Sequence, residues 1–125
     1  MMNSTTVATS KSGAYAFFAC VCALAGSGAT AAIVSPGAAV TVTVSYAYTS
    51  FGGGDFVFST SAVAAGCASG WYISSADPGY KAAVSTVLTA QASGNFVVVF
   101  GDNTQIWTGS PSGQYCRVQA VGLSS

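Results

Sequence analysis

The chain has 125 residues, enough for one domain, with 51% hydrophobic residues and only 5% charged ones. Lys11, Lys81 and Arg117 balance Asp55, Asp77 and Asp102 to a formal net charge of zero, and histidine is absent. A neutral chain has no field to gather phosphates, which argues against duplex nucleic acid as a partner, and its low net charge favours self-association.

In chain order, residues 1–31 divide into three parts. "MMNSTTVATSKSG" is polar, "AYAFFACVCALAG" is an apolar run, and "SGATA" is small, with Ala29-Thr30-Ala31 matching an A-x-A cleavage pattern. This layout predicts a secretory signal peptide, and, where the segment is retained, an N-terminal assembly segment. The run is too short to span a bilayer comfortably, and no later run is long enough, so the mature chain is expected to have no membrane span.

Residues 32–125 read as a single β-rich domain. "VTVTVSYAYTS" alternates strictly, with Val40, Val42, Val44, Tyr46 and Tyr48 on one face, and predicts a strand. "FGGGD" is a turn into a second strand, "FVFST". "GCASGWYISS" predicts a third, short strand carrying Cys67, Trp71 and Tyr72. One helix follows over about residues 78–93. Asp77 is its expected N-cap, Pro78 its first residue, Tyr80, Val84, Val87, Leu88 and Gln91 its inner stripe, and Gly94 its stop. "NFVVVFG" is a buried strand, "GDNTQ" a turn, and Ile106-Trp107 a short strand. "QYCRVQAVGLSS" closes the chain, with Cys116 and Val118 on one face and a phase slip near Ala120. The order predicts a mainly β, α+β fold: a small antiparallel OB-like barrel whose open end the helix covers.

Cleavage after Ala31 would leave two cysteines, Cys67 and Cys116. An even pair in a short exported chain predicts one disulfide, closing a loop of about 50 residues and stabilising by about 3–4 kcal/mol. The competing reading is two buried thiols. Cys20-x-Cys22 has the wrong spacing for a redox pair or a zinc knuckle.

The inventory argues against an enzyme. Without histidine the usual general base, the common nucleophile arrangements and most zinc sites are gone. The three carboxylates fall in separate turns or caps, which suits neither a glycosidase pair nor a calcium loop. Lys81, at the start of the helix, reads as a solvated end. No cofactor or metal is expected. What remains is binding. Trp71, Tyr72, Trp107 and Tyr115 stand beside Ser, Asn, Asp and Gly, the combination that holds sugars or partners. The candidate ligand residues are Trp71, Tyr72, Asp102, Asn103 and Trp107. The plainer reading has both tryptophans in the core and "GDNTQ" as an ordinary β-turn.

Residues 66–123 carry a wider pattern: "CASGWYISSADPGYKAAVSTVLTAQASGNFVVVFGDNTQIW" followed by "YCRV". This pattern resembles a group of small exported bacterial proteins. The "LTAQASG" to "VVV" step is similar to one in the B subunit of subtilase-type cytotoxins. That resemblance implies an OB-like barrel with one helix and a disulfide, a ring-forming homo-oligomer and glycan binding. It assigns no glycan contact to a residue here. The expected protein is a secreted, non-catalytic, oligomeric binding module with carbohydrate as the leading ligand class; the alternative is a structural subunit of a phage virion or an extracellular filament.

Overall fold

The structure is a computed structural model that describes residues 32–125. The expectations placed on residues 1–31, with Cys20 and Cys22, lie outside the described residues. Strands β1 (Ile33–Val34), β2 (Val42–Ala47), β3 (Phe56–Thr60) and β4 (Gly70–Ile73) precede helix α1 (Tyr80–Ser93), and β5 (Phe96–Ile106) and β6 (Tyr115–Ser124) follow it. All six strands form one sheet in the order β1-β5-β6-β4-β3-β2. The fold is therefore mainly β with one helix, as the strand and helix periodicities imply.

Two features of the expected barrel are corrected. The sheet is open. Closure would need a continuous ladder between its edges. Here β1 takes the outer edge of β5 at Gly101 and Asp102, leaving, among the described residues, one bridge, Val40 to Val97, with N···O distances of 2.9 and 2.7 Å. Nor is the sheet wholly antiparallel, because β4 and β6 run parallel. The chain leaves β4 through α1, returns along β5, and the β5–β6 hairpin then places β6 beside β4 in the same direction.

The helix lies on one sheet face rather than over a barrel end. Its buried or half-buried row is Tyr80, Ala83, Val84, Val87 and Ala90, which meets Phe56, Phe58, Trp71, Ile73, Val97, Val99, Cys116 and Val118. Leu88, expected in that row, is 47% exposed. Small Ala83 and Ala90 take the inner positions and bring α1 close to the strands, turning Leu88 outward. Gly94 ends the helix in the left-handed conformation, as expected. The start differs. Gly79 is the N-cap, without a side-chain bond, and Asp77 and Pro78 lie in the preceding turn. The Asp77 carboxylate accepts instead from Arg117 on β6, a charged partner that outcompetes a capping N–H.

Strand β2 also departs from strict alternation. A register shift between Val42 and Val44 skips Thr43. Val40 and Val42 pack with the helix-side core, and Ser45 donates to Gln91 of α1 at 2.6 Å. Beyond the bulge, Tyr46 pairs with Val57 and Tyr48 packs on the opposite face. The slip expected near Ala120 is present: Phe100 pairs with Ala120 and Gly101 with Val118, leaving Gln119 unpaired. Cys67 and Cys116 form the expected disulfide, with Cα atoms 5.3 Å apart, joining the loop before β4 to β6. Among the described residues no helix is long and apolar enough to cross a membrane.

Candidate functional site

The sheet face away from α1 is built around Trp107. Its indole N–H donates to Asp55 Oδ2 at 3.1 Å, and Asp55 Oδ1 accepts from the Ser75 amide at 2.8 Å. Glycines at 52 and 109 let the ring lie flat against the backbone. A Cβ at Gly52 would come within 2.6 Å of Trp107 Cζ2, and one at Gly109 would come closer still. The Gly turn is tied down by the Ser75 hydroxyl, which donates to the Gly53 carbonyl at 2.7 Å, and by the Tyr80 hydroxyl, which donates to the Gly54 carbonyl at 3.0 Å.

Four rings surround this indole in sequence. Tyr48 lies 5.3 Å away by ring centroid, Phe51 and Tyr115 approach edge-on at 6.1 and 5.9 Å, and Tyr46 stacks beyond Tyr48 at 6.2 Å. Val57 and Tyr72 form the floor. Trp107 is itself 5% exposed, whereas Tyr46 is 51% and Phe51 60% exposed. The result is an aromatic shelf with fixed inner rings and open outer ones.

Beside the shelf runs a polar row. The expected turn at "GDNTQ" is corrected: all five residues belong to β5, with Gly101 and Asp102 paired and Asn103, Thr104 and Gln105 bulging between the Asp102–Arg117 and Ile106–Cys116 pairs. Asp102 is 1% exposed, not a surface turn residue. Its Oδ1 accepts from the Thr104 hydroxyl at 2.6 Å and the Thr104 amide at 2.9 Å, and Oδ2 from Gln105 Nε2 at 2.9 Å. Gln105 Oε1 accepts from Arg117 Nη1 at 2.8 Å, and Arg117 Nη2 donates to Asp77. The row is thus Asp102, Gln105, Arg117, Asp77. The ion pair to Asp77 holds Arg117 above the ordinary arginine value.

The Thr104 hydroxyl bond, then the Thr104 amide and Gln105 bonds, hold the Asp102 carboxyl below the usual carboxylate range. A depressed folded pKa means that the stabilisation is present above the unfolded value and is lost as pH falls through the folded one. Urea midpoints are therefore expected to fall with acid only below about pH 4. Asp102→Asn should be less stable at neutral pH and show a flatter acid limb. An unchanged limb in this variant would remove Asp102 as its source.

The candidate ligand residues separate accordingly. Trp107 and Tyr72 meet in the aromatic cluster. Burial raises the Tyr72 hydroxyl pKa, and its ring is 9% exposed, so it supports the shelf rather than touching solvent freely. Asn103 donates from Nδ2 to the Ala65 carbonyl at 3.2 Å, tying the bulge to the loop before Cys67. Trp71 is fully buried on the helix side and donates to Thr60 Oγ1 at 3.0 Å, which corrects its candidacy as a ligand contact. Tyr46, Tyr48 and Phe51 complete the site although they are not among the residues that the sequence singles out. Their spacing, "YAYTSF", is the signal that points to them, once the bulge at Thr43 has turned them to one face.

A cleft of about 490 Å³ opens between the start of α1 and β6. Asp77, Ala82 and Thr86 line one wall, and Gln105, Arg117 and Gln119 line the other. Among the described residues no group of three or more His, Cys, Asp or Glu side chains gathers as a metal site would. No protein-family model, curated protein or solved structure matches the chain.

Proposed function

We propose that this chain is a non-catalytic binding module of a secreted protein, that it acts as a homo-oligomer, and that its ligands are carbohydrates. The observation that carries this reading is the shelf. Tyr46 and Phe51 are each more than half exposed, and Tyr48 packs against both of them and against Trp107. Sugars present apolar C–H faces rimmed by hydroxyls, which suit exposed rings beside neutral polar groups. Against catalysis stands the engagement of each carboxylate within the fold: Asp55 accepts from Ser75 and Trp107, Asp77 through one oxygen from Arg117, and Asp102 from Thr104 and Gln105. The disulfide suits an oxidising compartment.

Glycan-array binding followed by titration of the best oligosaccharide tests the reading. Phe51→Ala is expected to weaken binding about tenfold, as loss of an aromatic anchor does, with the fold retained because Phe51 is 60% exposed. Binding that is absent from the array, or unaltered by this variant, rejects the shelf as the site.

A second reading, a structural subunit of a phage virion or an extracellular filament, draws on another surface. Ile33, Phe96, Phe100 and Leu123 are each 44–55% exposed near the β1–β5–β6 side of the sheet. Purification with particles or fibres, in place of soluble oligomers, would favour this reading.

A further inference from the structure

We propose that the cleft between α1 and β6 is a separate binding site for one neutral, sugar-sized polyhydroxylated molecule. This rests on the carbohydrate reading above but names a different surface from the shelf. The cleft holds about 490 Å³, within the range of pockets that enclose small ligands. Its polar groups are fixed before any ligand arrives. Gln105 and Asp77 clamp the Arg117 guanidinium, using one N–H on each terminal nitrogen. A guanidinium carries five N–H donors, so donors remain for a ligand. Among the described residues Asp77 Oδ2 accepts no hydrogen bond, and the Asp77 and Arg117 side chains are 24% and 31% exposed. A donor and an acceptor thus stand side by side at the cleft surface. A hydroxyl both donates and accepts, so adjacent hydroxyls on a ring can satisfy both at once.

Charge and shape narrow the ligand further. The two formal charges on the cleft wall cancel, because Asp77 and Arg117 are paired. A charged ligand would have to break that pair or be desolvated without a counter-ion, a cost a neutral ligand avoids. Ala82, Ala83, Pro78 and Val121 supply apolar wall next to the polar row. A pyranose has both characters: C–H faces for that wall and hydroxyls for the row.

The test is amide chemical-shift mapping of the full chain titrated with glucose, galactose, mannose and N-acetylglucosamine, against glucuronate and glucosamine as charged counterparts. At least one neutral sugar is expected to shift Thr86, Gln105 and Gln119 saturably, in the millimolar range. Ala82→Leu fills the cleft from an exposed helix position that leucine suits, so the fold should survive. It is expected to weaken those shifts at least tenfold. Arg117→Gln should do the same. Shifts confined to Phe51, Tyr46 and Trp107 overturn the cleft while supporting the shelf. No shift anywhere, with every tested glycan absent from the array as well, overturns both. Equal or stronger cleft binding by glucuronate or glucosamine overturns the ligand class.

Discussion

Replacing Cys67 and Cys116 together by alanine should lower the unfolding free energy by about 4 kcal/mol and the melting temperature by roughly 15–30 °C. The bridge spans 49 residues of sequence, and the loop it closes contains β4, α1 and β5. Without it the unfolded chain regains the freedom to separate these elements. Stability then depends on one helix packed on one open sheet, in a domain small enough for that core to be marginal. Both cysteines are fully buried, so the substitutions also remove packed sulfur, and the entropic figure is a floor for the effect of a well-packed site. Guanidinium unfolding of the oxidised parent and the double variant at pH 7 measures the difference. Equal midpoints, or free thiols in native material by mass spectrometry, would show that the bridge contributes nothing to the folded protein.

Local chemistry made much of this fold readable from sequence. The left-handed glycine at 94 and the slip near Ala120 follow from residue types at fixed spacing, and the pairing of Cys67 with Cys116 from the even pair of cysteines beyond residue 31. Where the reading failed, a non-local partner had overruled a local preference. Asp77 has the chemistry of a cap, but Arg117 of β6 lies within reach and takes its carboxylate. Asp102 has the chemistry of a turn and does bond Thr104, two residues on. Its burial, however, comes from β5 continuing past it beside β6. Strict alternation in "VTVTVSYAY" says that a strand is present. It cannot say that Thr43 is squeezed out, which sends Tyr46 and Tyr48 to the face opposite Val40. For that reason the shelf was hidden while Trp107, at its centre, was not. The open sheet was hidden too, because nothing in the two residues of β1 announces that they fill the β5 edge.

Trp71→Ala should be the most damaging single substitution on the helix side, at about 3–5 kcal/mol. Trp71 is the largest of the fully buried side chains. Its indole N–H donates to Thr60 Oγ1 at 3.0 Å, and that hydroxyl donates onward to the Ala62 carbonyl at 2.6 Å. Truncation therefore opens a cavity and strips a partner from Thr60. The site can be tested from its other side. A Cβ on Gly101 would lie 2.6 Å from Trp71 Cζ3 and 3.0 Å from the Arg117 carbonyl, so Gly101→Ala is overpacked and should cost about 1–3 kcal/mol. Trp71→Phe withdraws part of the ring edge that Cβ would strike. In that background Gly101→Ala should cost less, with the carbonyl contact retained. A double-mutant cycle on unfolding free energies reads this coupling directly. A cost for Gly101→Ala that is the same in both backgrounds would mean that Trp71 does not fill the space above Gly101. If Trp71→Phe also left glycan affinity untouched while Phe51→Ala lowered it, the two aromatic groups would be separated by role: one inside holding the sheet to the helix, the other outside holding the ligand.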